Sequence, residues 1–149
     1  MLKKQPGKVH FHYLQSFSLL HRTLLKEFIG SLFKKERVPL AELHYIYCSD
    51  KYLLNINKEF LKHDFYTDIV TFNLSEHSKS ITGEIYISID RVRDNAINFD
   101  VPFNKELHRV TFHGALHLCG YKDKTPKDQL VMRKMEDKYL NQYFTRLKQ

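Results

Sequence analysis

Residues 104–123 read NKELHRVTFHGALHLCGYKD, and this stretch decides how the rest of the chain is interpreted. It predicts a helix over 104–119 that ends at Gly120, the residue type most often found just past a helix C-terminus. The letters TPKD at 125–128 then predict a second helix, because they supply a capping hydroxyl, a proline at the first helical position and an acid in the first turn. We expect this last helix to run to about residue 143.

The chain upstream of residue 104 alternates between strand-like and helix-like patterns. Strands are predicted at 9–14, 43–48, 69–74 and 84–89. Helices are predicted from about residue 17 to a point before Pro39, from a cap at Ser49 or Asp50 onward, and over 90–99. The order β, α, β, α, β, β, α, α, α predicts an α+β (mixed α/β) fold. We expect a single small domain over 1–149, with about four strands in a mixed sheet covered by about five helices.

Composition excludes several classes of protein. The 149 residues are 42% apolar and 28% charged, which is typical of one soluble globular domain and not of a disordered chain. The longest apolar runs are strand-sized, so no membrane span is expected, and the start of the chain shows no secretory signal. Cys48 and Cys119 lie in apolar stretches and are interpreted as reduced thiols, which favours a cytoplasmic protein.

The positive charge is concentrated near the two ends of the chain. Net charge is +7 overall, with eight basic and two acidic residues in 1–37, eight and eleven in 38–121, and eight and four in 122–149. Basic segments attract an anionic polymer such as RNA, although an ordinary solubilising surface is an equally good explanation. If RNA is the partner, the first helix and the turn at 122–127 should frame one groove that leads to Asp123.

His113 and His117 form the strongest candidate metal site, at the end of the predicted central helix. Residues four apart share one helix face, and a chain that reverses at Gly120 can bring Asp123 back to them. Two histidines and one carboxylate leave a coordination position for water, as in catalytic zinc sites. The histidine pair alone is weak evidence, since two hydrogen-bonded histidines on a half-buried helix would give the same letters.

The reaction class follows from what surrounds these histidines. Gly114 stands where a His-Glu-x-x-His metallopeptidase carries its glutamate, so peptidase chemistry is disfavoured. A metal site without that base can still hydrolyse a phosphodiester. Glu106, seven residues before His113, is a candidate base or a partner that orients a ligand histidine, although a solvated glutamate is the commoner case. Lys122 is a candidate cation beside Asp123 for a polyanionic substrate.

The run HGALHLCGYKD at 113–123 resembles the signature of the YbeY family, bacterial metal-dependent endoribonucleases that mature ribosomal RNA. The match departs from the family form at its last two positions. Further similarity lies at Leu54-Asn55, at Asp64, Thr67 and Phe72, and at Gly83-Glu84-Ile85. With the length and the element order, the resemblance covers nearly the whole chain.

The resemblance implies a site and a function. His113 and His117 would bind Zn²⁺, and Asp123 would take the place of the family's third histidine. Leu61 falls where the family has an arginine thought to contact RNA phosphate, and Lys62 or His63 would have to replace that cation. The implied function is single-strand-specific cleavage in late 16S rRNA 3′ end maturation and ribosome quality control, with ribosomal RNA and the small subunit as partners.

Two other functions stay open from the sequence. One is a non-catalytic ribosome assembly factor whose metal is structural, for which Leu61 is the best argument. The other is an unrelated metal-dependent hydrolase of small phosphoesters, which would require a deep, enclosed pocket instead of an open groove.

Overall fold

A computed structural model describes residues 8–76 and 79–149. Four strands form one mixed sheet in the order β1-β2-β4-β3, where β1 and β2 are parallel, β2 and β4 are parallel, and β3 runs antiparallel to β4. The strands are β1 (Val9–Tyr13), β2 (Leu40–Cys48), β3 (Ile69–Asn73) and β4 (Ile81–Ser88). The predicted α+β class, with a four-stranded mixed sheet, is therefore confirmed.

Five helices accompany this sheet, in the predicted order. They are α1 (Arg22–Lys35), α2 (Asp50–Leu61), α3 (Ile89–Phe99), α4 (Phe103–Leu118) and α5 (Pro126–Leu147). Among the described residues, none of these helices is long and apolar enough to cross a membrane.

The two faces of the sheet are covered unequally. Leu43, Tyr45 and Tyr47 alternate along β2, have no solvent exposure, and belong to the main core together with residues of α1, α4 and α5. The opposite face carries a smaller apolar cluster, in which Cys48 and Val70 pack with Leu53 of α2. Helix α4 thus packs on one side of the sheet and α2 on part of the other. Cys48 and Cys119 are both free thiols, as expected.

The first helix begins later than its apolar spacing predicts. It starts at Arg22, and His21 before it has a left-handed backbone with φ of 55°. Phe17, assigned to this helix from the sequence, instead packs its ring against Tyr13 and Tyr47 at centroid distances of 5.6 and 5.0 Å. The expectation of a helix from residue 17 is therefore wrong, because an aromatic cluster at the sheet edge holds that segment in a non-helical path.

Capping residues set the starts of two helices as the sequence predicts. Ser49 Oγ accepts a hydrogen bond from Tyr52 N at the start of α2, and Thr125 Oγ1 accepts one from Asp128 N at the start of α5. Pro126 occupies the first turn of α5. This helix continues to Leu147, one turn past the predicted end.

Gly114 allows α4 to approach the sheet closely. A Cβ atom at this position would lie 2.9 Å from Cδ1 of Ile69, 2.9 Å from Cδ1 of Ile85 and 2.9 Å from Cγ2 of Ile85. These distances are well below ordinary carbon contacts of about 3.5–4.0 Å. Any side chain at residue 114 would therefore push α4, which carries His113 and His117, away from β3 and β4.

Candidate metal centre

The two histidines of α4 project from one face of the helix. His113 and His117 are four residues apart, and their rings lie 4.6 Å apart between centroids at an interplanar angle of 85°. Both imidazoles are partly exposed, with side-chain exposures of 14% and 27%. They are therefore accessible from solvent while fixed to a helix packed on the sheet.

The end of α4 reverses the chain and returns a carboxylate to these histidines. Gly120 has φ of +106°, a conformation that favours glycine. Gly120 N donates to His117 O at 3.0 Å and Tyr121 N donates to Leu116 O at 3.1 Å, which is the Schellman pattern of helix termination. This turn directs the chain back along the end of the helix toward Asp123.

Asp123 meets both histidines at a single oxygen. Its Oδ2 lies 3.2 Å from Nε2 of His113 and 3.2 Å from Nε2 of His117. The candidate ligand atoms of the three residues all lie within 4.8 Å of one another. Donors bound to zinc at 2.0–2.1 Å in a tetrahedron stand about 3.3 Å apart, so this donor set fits a zinc ion.

Each histidine has a partner for its second ring nitrogen. Nδ1 of His113 lies 2.6 Å from Oε2 of Glu136 on α5, and Nδ1 of His117 lies 2.9 Å from the carbonyl oxygen of Tyr121. Both partners are acceptors to which Nδ1 can donate, and this contact orients each ring with Nε2 toward Asp123, as metal-binding histidines require.

Glu136 is held as a carboxylate although its residue is only 2% exposed. Burial favours the neutral acid, but the hydrogen bond from His113 and the charge of Arg109 outweigh burial, so the pKa of Glu136 is below its ordinary value. Nη1 of Arg109 donates to Oε1 of Glu136 at 3.2 Å. A charged acceptor therefore faces His113.

Arg109 connects this site to further acids. Its Nε and Nη2 donate to the two oxygens of Glu106 at 2.8 and 2.6 Å, and Nη2 lies 3.9 Å from Oδ2 of Asp68. Burial raises the pKa of Asp68 above its ordinary value, against the opposing effect of Arg109. Nδ2 of Asn95 donates to Asp68 at 3.1 Å and approaches Glu106 at 3.3 Å. The network ties α3, α4, α5 and the start of β3 together beneath the histidines.

The three candidate ligands line a groove of about 790 Å³. One wall is β3, and another is formed by the end of α2 and the loop after it, where Leu61 and Phe65 are 39% and 55% exposed. Asp68, Arg109 and Lys124 also contribute to the lining. Exposed side chains along one wall make this site an open groove and not an enclosed cavity.

The residues predicted to assist catalysis lie in different places. His63 lines the groove and stacks on Phe65 at 5.1 Å between ring centroids. Lys62 and Lys122 are exposed and are not among the residues that line the groove. Lys62 follows the end of α2 with φ of 59°. Glu106 is only 2% exposed and its carboxylate pairs with Arg109, so the acid that contacts a ligand histidine is Glu136.

The two basic segments do not frame one groove, so that expectation is wrong. In the described part of the chain, no α1 residue lines the groove at Asp123. Lys26, Lys34 and Arg37 instead line a separate cavity of about 1010 Å³ beside the starts of β1 and β2. The groove lies against β3, at the opposite edge of the sheet from β1. Net charge therefore gives no support for RNA binding here.

Glu136, Arg109 and Asp68 are functional residues that the sequence alone does not predict. The sequence does contain an indication of Glu136, because this residue falls among Met132, Tyr139 and Tyr143 on the buried face of α5. An acid at a core position of a helix is seldom fully buried unless it is paired. Its spacing therefore marks it as a residue with an internal partner, although the identity of the partner requires the fold.

Comparison with known proteins gives a consistent family. A family model described as "Endoribonuclease YbeY" matches residues 10–144. The chain is 50% identical over 125 residues to the endoribonuclease YbeY of Cytophaga hutchinsonii, covering 84% of this chain and 87% of that protein. It is 46% identical over 132 residues to the endoribonuclease YbeY of Flavobacterium psychrophilum, covering 89% and 94%.

A solved structure agrees with these matches. The solution structure of a protein from Thermotoga maritima aligns with a TM-score of 0.58 and 29% identity, covering 93% of this chain and 91% of that one. Family model, curated relatives and fold all extend over most of the chain. The chain therefore belongs to the YbeY family of endoribonucleases.

Proposed function

We propose that this chain is a Zn²⁺-dependent, single-strand-specific endoribonuclease. The observation that carries the proposal is the convergence of His113, His117 and Asp123 on one point of an open groove. Membership of a family whose curated members are named endoribonucleases supports RNA as the substrate. We further propose that it acts in the cytoplasm on ribosomal RNA of the small subunit, in late 16S 3′ end maturation and in ribosome quality control.

The three candidate ligands are preorganised by hydrogen bonds that do not require a bound ion. Glu136 and the Tyr121 carbonyl hold the Nδ1 edge of each imidazole, so both Nε2 atoms point toward Asp123, which adds a negative charge opposite them. These residues would hold a zinc ion, which would supply Lewis-acid chemistry for activating water and stabilising negative charge on phosphate oxygens. Asp123 in place of a third histidine makes the site one unit more negative, which reduces the acidity that the ion confers on water.

The groove wall fits unpaired bases. Phe65 is 55% exposed and stacks with His63, so the pair offers a flat surface on which a base can stack. Base stacking on aromatic side chains contributes about 1–3 kcal/mol per base and requires an unpaired strand. This favours single-stranded RNA over a duplex.

His63 is the side chain best placed to replace the family's arginine. Leu61 lines the groove without a charge, and Lys62 is outside the described lining. His63 does line the groove, and so does Lys124 near Asp123. The positive charge of Arg109 is already matched by Glu106 and Glu136. We therefore assign phosphate contact to His63 and Lys124.

The test compares cleavage of a single-stranded 16S precursor fragment with cleavage of the same sequence in a duplex. The parent protein is expected to cut the single strand, to lose activity on chelation, and to regain it with Zn²⁺. His113→Ala should be inactive, and His21→Asn, outside the groove, should behave as the parent. Asp123→Ala should bind less zinc than the parent, and equal binding would remove Asp123 from the site.

A non-catalytic assembly factor is the second candidate, and the uncharged Leu61 in the groove favours it. Equal cleavage by the parent and His113→Ala would reject metal catalysis and leave RNA binding as the function. Hydrolysis of small phosphoesters is disfavoured, because a small substrate needs an enclosed pocket and the wall at Leu61 and Phe65 is open to solvent.

A further inference from the structure

A second group of metal-ligating side chains lies on the other face of the sheet from α4. His10 and His12 lie on β1, Glu42 and His44 on β2, and Glu84 on β4. His10 is the register partner of His44, and His44 is the register partner of Glu84. Because alternate strand residues share a face, all five side chains project from the face opposite Leu43 and Tyr45.

This part of the face is accessible to solvent. Helix α2 packs over Cys48 and Val70, on the other half of the same face. The side chains of His10 and His44 remain 30% and 29% exposed, and that of Glu42 is 51% exposed. An ion in solution can therefore reach these groups without any movement of the fold.

Three donor atoms converge at one point of this surface. Nε2 of His10 lies 3.6 Å and Nε2 of His44 lies 3.0 Å from the same oxygen of Glu42. The two imidazoles are stacked at 4.7 Å with an interplanar angle of 16°. The observed spacings lie on either side of the roughly 3.3 Å that separates donors around a tetrahedral zinc ion.

His12 supplies the partner that a metal-bound histidine requires. Its Nε2 lies 2.7 Å from Nδ1 of His44. An imidazole that binds a metal through Nε2 carries its proton on Nδ1, and here that N–H can donate to Nε2 of His12. Such a hydrogen bond to the far nitrogen fixes the orientation of metal-bound histidines generally.

We propose that His10, Glu42 and His44 bind one divalent transition ion of the Zn²⁺ and Cu²⁺ class, with His12 as the acceptor that orients His44. Two imidazoles with one carboxylate suit these ions better than Mg²⁺ or Ca²⁺, which prefer oxygen donors. The site is separate from the groove, which lies on the α4 side of the sheet. A bound ion links the edge strand β1 to β2, the strand with which it pairs.

The experiment measures Zn²⁺ per chain by equilibrium dialysis and elemental analysis on the full chain without an affinity tag. We expect two ions in the parent and one in the double variant His10→Gln, His44→Gln. The variant His113→Ala, His117→Ala should keep the ion at β1 and β2. His21→Asn is the matched control for removing a histidine elsewhere, and it should keep both ions.

Two further measurements distinguish loss of the second ion from misfolding of the variant. Glu42→Gln, a milder change at the surface, should weaken the second ion by about tenfold or more. The double variant at His10 and His44 should retain RNA cleavage, because neither residue lies in the groove. A His10 and His44 variant that binds as many ions as the parent overturns the proposal. If the parent does not cleave RNA, the proposed function is refuted, but the second site still stands on the difference in bound Zn²⁺ between the parent and the His10 and His44 variant.

Discussion

The close approach of α4 to the sheet can be measured by making the same substitution at two helical glycines. Gly114→Ala adds a methyl group 2.9 Å from Ile69 and Ile85, on a helix that carries both ligand histidines. Gly30→Ala adds a methyl group in α1, where no described atom beyond the neighbouring residues and the backbone of the same helix lies within 4 Å. Only the first substitution should create a clash.

The two variants are expected to differ in their free energy of unfolding. Replacing glycine by alanine inside a helix stabilises it by about 0.8–1.0 kcal/mol, and this gain applies at both positions. Overpacking a filled core costs about 1–3 kcal/mol, and this cost applies only at Gly114. Gly30→Ala should therefore raise the free energy of unfolding, and Gly114→Ala should have a value lower than Gly30→Ala by about 1–3 kcal/mol.

Urea unfolding followed by circular dichroism gives both free energies under identical conditions. Taking the difference between the variants cancels the helix-propensity gain, so the remainder reports packing against the two isoleucines. If the variants differ by less than about 0.5 kcal/mol, α4 does not lie as close to β3 and β4 as described. Gly114→Ala should also weaken zinc binding, because the histidines move with the helix.

Three other predictions follow from buried groups and from a helix cap. Glu136→Gln should weaken zinc binding by about 10–100-fold, because a neutral amide holds Nδ1 of His113 less strongly. Asp137→Asn makes the same change at the exposed next residue and should leave zinc binding unchanged. Equal effects of the two substitutions would exclude a specific contact between Glu136 and His113. Burial lowers the pKa of His108, so below about pH 6.5 the unfolded chain binds a proton at this residue that the folded chain does not. His108 should therefore reduce the free energy of unfolding by at most about 1.4 kcal/mol for each pH unit below that point. His108→Phe should show a shallower slope in unfolding free energy between pH 7 and 5, and an unchanged slope would contradict it. Thr125→Ala should cost about 1 kcal/mol, and Thr125→Ser, which keeps the hydroxyl, much less; a similar loss in both would show that the cap bond is unimportant.

Most of the fold could be predicted because its signals are local. The hydroxyl at Thr125 and the glycine at residue 120 each act within a few residues, and alternation along β2 records which face is buried. The start of α1 could not be predicted this way. Phe17 fits a helical stripe, but its ring packs on Tyr47, a residue thirty positions away, and that contact decides the local path.

In the candidate site too, residues close in sequence could be predicted, whereas residues brought together by packing could not. The candidate ligands His113, His117 and Asp123 fall within eleven residues, so spacing and one turn were sufficient to suggest them. Glu136 is twenty-three residues from His113, and only the packing of α5 on α4 brings them together. The expected single basic groove failed for a similar reason, since strand order places β1 and β3 at opposite edges of the sheet.

The Schellman turn at Gly120 has a consequence for the order in which the site matures. All three candidate metal donors lie within residues 113–123, so a short loop brings them together and little chain entropy is lost in doing so. The partner of His113 comes from α5, which is made later along the chain. An ion held by the 113–123 segment binds more tightly once Glu136 docks, and by thermodynamic linkage it must favour that docking equally. A metal ion bound there would thus act as a folding ligand for the α4–α5 pair as well as a component of the groove.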